Sequence, residues 1–276
     1  MHAPYSVRFR LAAVAAASSA ALALTLPPSA DAGVCGDDVG GARVACACGD
    51  VVVSDTVLQP TDPVTVERCP LDGLFLKAPA GAASITLNLD GHSLVGRGRG
   101  SGVRVIHGGS EGARILGGEG GRRGQIVGFG DGVRAHGTRP VQEVRDLDVK
   151  GNSDAGISVR SNEVRVRSVR SEKNGGDGFR LRGYDGSYLD VVAYDNNGVG
   201  LRIDGEGAVV RGKSQENGGH GVLADGREHD LGALVVERNA GDGVQLRGRG
   251  HRTGGLRSAD NLGQALRTSG SGEVSQ

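Results

Sequence analysis

The chain reads as an all-β solenoid, and three columns of residues at a near-constant spacing predict it. Asn152, Asn174, Asn196, Asn217, Asn239 and Asn261 recur at intervals of 22, 22, 21, 22 and 22 residues. A small residue follows each by four positions: Gly156, Gly178, Gly200, Gly221, Gly243 and Ala265. Behind each small residue stands an apolar or near-apolar pair with one residue between: Ile157/Val159, Phe179/Leu181, Leu201/Ile203, Val222/Ala224, Val244/Leu246 and Leu266/Thr268. Alternation with a period of two is a strand signature. Self-similarity at about 22 residues, with strands inside every unit, describes coils stacked along one axis.

Taken in order, residues 1 to 32 carry the pattern of an export signal. Arg8 and Arg10 make a basic start, Leu11 to Leu26 an alanine-rich apolar stretch, and Ala30-Asp31-Ala32 puts small residues where a signal peptidase reads, setting cleavage before Gly33. Pro27 and Pro28 end the apolar stretch, which is short for a membrane span. Beyond it, 30 Lys and Arg face 31 Asp and Glu over 244 residues. Near neutrality predicts neither nucleic acid nor an anionic membrane as partner. The expectation is a soluble monomer, secreted or periplasmic.

Residues 33–80 hold all four cysteines with Pro60, Pro63, Pro70 and Pro79, and read as an N-terminal cap over an open strand edge. An even count in an exported chain predicts disulfides. Of the three possible pairings, Cys35 with Cys46 and Cys48 with Cys69 is favoured; zinc held through Cys46 and Cys48 is the alternative, and their close spacing disfavours it.

Residues 81–276 form the solenoid. Ile85 to Leu94 alternates, turns at Asp90-Gly91 and makes the first full coil. Gly102-Val103-Arg104-Val105 and Gly132-Val133-Arg134-Ala135 repeat the pattern 30 residues apart, which leaves a loop near Glu111 to Arg123. Within the regular repeats, each asparagine is preceded by a further pair of apolar segments. Leu147, Val169, Val191, Gly212, Leu234 and Leu256 lie five before it; Val144, Val166, Tyr188, Val209, Leu231 and Thr253 lie eight before it. Three short strands per coil and about eight coils result. Gly183, Gly205, Gly226, Gly248 and Gly270 mark a corner that asks for positive φ. The asparagines predict a buried ladder in which each amide bonds to the next coil. Thr268 to Gln276 is short and polar, a thin C-terminal cap.

Cys48-Gly49-Asp50, Cys69-Pro70, Asp72-Gly73-Leu74 and Leu87-Asn88-Leu89-Asp90-Gly91-His92-Ser93-Leu94, followed by the Asn-x-x-x-Gly-apolar-x-apolar repeats, carry a resemblance. The chain resembles exported bacterial right-handed parallel β-helix proteins of the pectate-lyase-like superfamily over nearly all of its length after residue 32. The resemblance implies a right-handed winding and three parallel sheets. Members include polysaccharide lyases, mannuronan epimerases, maturation proteins for periplasmic copper reductases and proteins without assigned activity, so it implies no single reaction.

Outward positions on the strand after each small residue hold the candidate binding groups. Eight of the sixteen are arginine: Arg104, Arg134, Arg160, Arg180, Arg182, Arg202, Arg247 and Arg267. Guanidinium groups one coil apart suit the carboxylates or sulfates of an acidic polysaccharide, because arginine bonds such groups in a bidentate fashion. A solvated face whose arginines pair with Asp131, Asp177, Asp204, Asp225 and Asp242 would have the same composition.

A non-catalytic exported protein contacting an acidic polysaccharide is therefore the first reading. The alternative is a lyase or C5-epimerase of uronic-acid polymers, which needs a cation at the carboxylate, a base at C5 and a proton donor. Asp177, Arg180, Arg202, His220 and Asp242 are its candidate catalytic residues, with Arg182 beside them; the Asp-Pro-His-Asp signature of mannuronan epimerases is absent. A maturation or scaffold protein for a partner enzyme is a third class. No cofactor is implied and no metal site is expected: His229 and His251, 22 apart, give two ligands without a third and read as a stacked turn pair. With no tryptophan, Tyr184 and Tyr194 are the aromatics available to line a sugar patch near Arg180 and Arg202.

Overall fold

The computed structural model describes residues 32–137 and 140–270. The expected export signal, apart from Ala32, and the end of the expected C-terminal cap lie outside the described residues.

Every strand pair in the two sheets is parallel, and the chain winds as a β-solenoid of about ten turns. The first sheet stacks eleven strands: Val34–Cys35, Asp50–Val52, Leu74–Lys77, Ser101–His107, Asp131–His136, Ile157–Arg160, Phe179–Tyr184, Leu201–Glu206, Val222–Arg227, Val244–Arg249 and Leu266–Ser269. Three of these lie in residues 33–80, so coiling begins there, and the turn count exceeds the eight that the regular repeat gives. Cys35–Cys46 and Cys48–Cys69 are the disulfides, tying these first coils together.

The second sheet contains the other two faces. In its long strands Val141–Lys150, Arg165–Glu172 and Ser187–Tyr194, single residues at positive φ (Asp146, Ser168 and Asp190) bend the strand midway. The two halves of Val141–Lys150 pair with different strands, Ala113–Leu116 on one side of the bend and Gly124–Val127 on the other. The expected loop near Glu111 to Arg123 thus contains a strand, Ala113–Leu116, whose Ala113 and Ile115 point inward and are fully buried.

One inward residue differs from the slot that spacing assigns. Val209 is only half-buried, whereas Val210 is buried and pairs with Tyr188. The 21-residue coil explains this: two residues separate Tyr188 from Val191, but one separates their partners Val210 and Gly212. The omitted residue comes out of the bend, where Gly212 takes φ 152°, a value that glycine tolerates and side chains resist.

The asparagine ladder is continuous. Each Oδ1 from Asn174 to Asn261 accepts both the backbone N–H and the Nδ2–H of the asparagine one coil earlier, the side-chain bonds spanning 2.8 to 2.9 Å. The file starts at Asn152, whose Oδ1 accepts the N–H of buried Phe129. Residues just before the asparagines, Gly151, Lys173, Asp195, Glu216, Arg238 and Asp260, all hold positive φ and turn the side chain inward. The small residue four positions later follows from the ladder: a Cβ on Gly178 would sit 2.8 Å from Asn196 Nδ2 and 2.7 Å from the Gly200 carbonyl oxygen. The asparagine and glycine columns are thus one packing requirement seen twice.

Candidate functional site

Strand alternation puts Arg104, Arg134, Ser158, Arg180, Arg202, Leu223, Gln245 and Arg267 in one outward column of the first sheet, each paired in register with the next. A second outward column runs His136, Arg160, Arg182, Asp204, Asp225, Arg247 and Ser269. Vertical neighbours in parallel sheets lie about 4.8 Å apart. The columns are therefore dense in like charge wherever no acid intervenes.

Acids intervene mainly in the later coils. Asp177 Oδ2 accepts from Arg180 Nε at 2.9 Å and Arg202 Nε at 2.8 Å, while its Oδ1 accepts the Val199 N–H at 2.8 Å. Burial opposes the charge of Asp177, yet the bonds from Arg202, Arg180 and Val199 together hold its carboxyl below the usual range. Arg180 also grips Asp154 with both terminal nitrogens, at 3.1 and 2.8 Å. Arg182 pairs with Asp204 at 3.1 Å. Asp242 is bound by Arg267 Nε at 2.7 Å and by the Gln264 N–H at 2.8 Å. His220 Nδ1 lies 3.6 Å from Asp242 Oδ2 and accepts the Asp242 N–H at 2.9 Å. The five candidate catalytic residues thus fall into two clusters, Asp177 with Arg180 and Arg202, and Asp242 with His220.

The earlier coils differ. Arg134 stands 3.5 Å from Asp131, a loose pair. Burial and the nearby Asp154 push the Asp131 carboxyl above its ordinary value. Among the described residues Arg104 and Arg160 have neither hydrogen-bond nor ion-pair partner. Arg247 reaches only Gln245 Oε1, at 3.3 Å. Between Arg104 and Arg160 lies His136, whose Nε2 is 3.0 Å from Ser158 Oγ. His136 is exposed on its strand, yet partial desolvation and the Arg134 charge hold its imidazole below its ordinary value, favouring the neutral form. A cavity of about 470 Å³ lined by Phe75, Arg104, Arg134 and His136 lies on one side, and one of about 260 Å³ lined by Ser158, Arg160, Arg180 and Arg202 on the other, His136 lining both.

His229 and His251 stack as expected, ring centroids 5.2 Å apart and planes within 15°. Both are buried. No group of three or more His, Cys, Asp or Glu side chains suited to a metal occurs among the described residues.

Sequence reasoning passed over three groups. Asp154 lies in the turn before Arg180's coil, outside both outward columns. His136 was visible in the second column, but the desolvation and the Arg134 charge that favour its neutral form come from packing. A third outward column continues the alternation past the corner glycines and sets Glu206, Arg227 and Arg249 in file with Tyr184, which the sequence had offered only as an aromatic near Arg180 and Arg202; extending the period of two by one step would have found the file.

The class of protein so defined is a disulfide-tied parallel β-solenoid with a cationic sheet face, and the disulfides are consistent with an extracytoplasmic protein. Among solved structures it is similar to the A-module of Azotobacter vinelandii mannuronan C-5 epimerase AlgE6, at 16% identity over 79% of this chain and 70% of that one, with a TM-score of 0.47. It is similar also to the AlgE4 A-module, at 18% identity over 77% and 69%, with a TM-score of 0.44. No family model matches the chain. No curated protein matches it.

Proposed function

We propose that this is an exported, non-catalytic β-solenoid protein, secreted or periplasmic, that binds an acidic polysaccharide through the face carrying Arg104, Arg134 and Arg160. The observation that carries the reading is that Arg104 and Arg160 stand without acidic partners among the described residues, on a face where Arg180, Arg182, Arg202 and Arg267 are all paired. An unpaired guanidinium offers both edges of its fork to a carboxylate or sulfate. One coil advances about as far as one strand spacing, which suits a polymer bearing charges at close, regular intervals along the solenoid axis. Arg180, Arg202, Arg182, Arg247 and Arg267 then serve mainly as the flank of this site, since four of them already hold acids.

Binding to alginate, polygalacturonate and dextran sulfate at low salt tests the reading and separates carboxylate from sulfate recognition. Replacing both Arg104 and Arg160 by alanine should weaken binding about a hundredfold, at about 1.4 kcal/mol for each charge-assisted contact. Arg267→Ala, at a flank position whose guanidinium already holds Asp242, should weaken it far less. Wild-type protein that binds none of the three polymers ends the proposal.

The second reading, a uronate lyase or C5-epimerase, draws on His136. An imidazole whose neutral form is favoured by neighbouring guanidiniums suits a C5 base, and an arginine at the carboxylate would stabilise the charge as the proton leaves. Among the candidates read from the sequence, the oxygens of Asp177 and Asp242 are already engaged. Ultraviolet absorbance of an unsaturated product from polygalacturonate, or C5 inversion of alginate seen by NMR, would favour catalysis over simple binding.

A further inference from the structure

The corner glycines leave a lane on the surface beside the cationic face. Arg160, Arg182 and Tyr184 line a cavity of about 340 Å³ floored by Gly183 and Gly205. Tyr184 and Gly205 also line a second one of about 470 Å³, which continues over Gly226, Gly248 and Gly270 between Glu206, Arg227 and Arg249. Shared lining residues make the two cavities one trough, running along the solenoid axis for the later half of the molecule. Its floor cannot be raised cheaply. Gly205, Gly226, Gly248 and Gly270 hold φ of 134°, 128°, 113° and 132°, and a Cβ on each would press into the carbonyl oxygen of the coil before.

The trough's chemistry differs from that of the arginine face. Arg227 is satisfied by Glu206 at 2.7 Å, and Arg182 by Asp204. Tyr184 is 54% exposed, more open than any other described phenylalanine or tyrosine, and stands at the end of the trough where unpaired Arg160 also lines the wall. An exposed aromatic face beside a side-chain-free lane suits the apolar face of a pyranose ring, with the paired charges offering hydrogen bonds to hydroxyls.

We propose that the trough is a second glycan subsite, in which Tyr184 stacks on a sugar ring of the same chain whose charged groups Arg104 and Arg160 hold. This rests on the polysaccharide reading above and adds direction and length to it: the polymer leaves the cationic face at Arg160 and follows the glycine lane towards Gly270.

Calorimetric titration of a trimer and a dodecamer of galacturonate, and of mannuronate, tests this. The trimer should bind the arginines alone, and the dodecamer should bind at least tenfold more tightly per chain. Tyr184→Ala should weaken the dodecamer three- to tenfold and leave the trimer untouched, while Tyr184→Phe, which keeps the ring, should match the wild type. A dodecamer indifferent to Tyr184→Ala, with both lengths lost in the Arg104→Ala/Arg160→Ala variant, overturns the trough and leaves the arginine site standing. Absence of binding at either length removes both.

Discussion

Asn196 illustrates how much one side chain can hold. Its Oδ1 accepts the backbone N–H and the amide of Asn174, and its Nδ2 donates to Asn217 and to the Ser171 carbonyl. Asn196→Ala leaves two buried donors on Asn174 unmatched. Buried orphans cost about 1 to 3 kcal/mol each, so a loss of about 3 kcal/mol or more should appear in the denaturation midpoint. His229 makes a pH-dependent contribution at the same scale. Its Nδ1 accepts the Ala208 N–H, and burial holds the imidazole below its ordinary value. The fold therefore favours the neutral ring. Its stability contribution is complete above the unfolded pKa of about 6.5, and it is lost as the pH falls from there through the folded value. Urea midpoints should drop on acidification from neutrality, and His229→Gln should flatten that slope.

At the scale of strands and corners, the N-terminal strands are short, with 2, 3 and 4 residues in the first three of the first sheet, and two covalent loops offset this. Cys35–Cys46 and Cys48–Cys69 close loops with sequence separations of 11 and 21, worth about 3 kcal/mol each by chain entropy. Reduction should raise hydrogen exchange in Asp50–Val52 and Leu74–Lys77 before it reaches the Phe179–Tyr184 strand. The same elements show what could be read in advance. Wherever the 22-residue period ran clean, the inward pairs, the ladder and the corner glycines were legible, because each depends only on its own coil and the next. Ala113–Leu116 was not, since the coil around it is longer and its glycine-rich flanks read as a loop. Val210 took Val209's slot because a one-residue deletion can be absorbed at any of three corners, and spacing alone does not say which. The arginine columns were legible as outward positions. Which arginines stay unpaired was not, for Asp154 approaches Arg180 from a turn in the preceding coil.

Across the whole molecule, near-zero net charge conceals an uneven distribution. The first sheet carries unpaired Arg104 and Arg160 in its earlier half and the Asp177 and Asp242 ion pairs in its later half. A polyanion should therefore meet a local positive field that total charge does not reveal. The exposed contacts it makes would be screened beyond about 8 Å at physiological ionic strength, so raising salt should release the charged part of the ligand before any stacked part.

The ladder, finally, has a sense of direction. Every carboxamide from Asn152 to Asn239 points its N–H toward the following coil and receives at its oxygen from the preceding one, so the amide dipoles add head to tail. Aligned amides polarise one another, and an interior member is strengthened from both sides while the last, Asn261, is strengthened from one. Equal substitutions should thus have unequal effects, larger in the middle of the file than at its end.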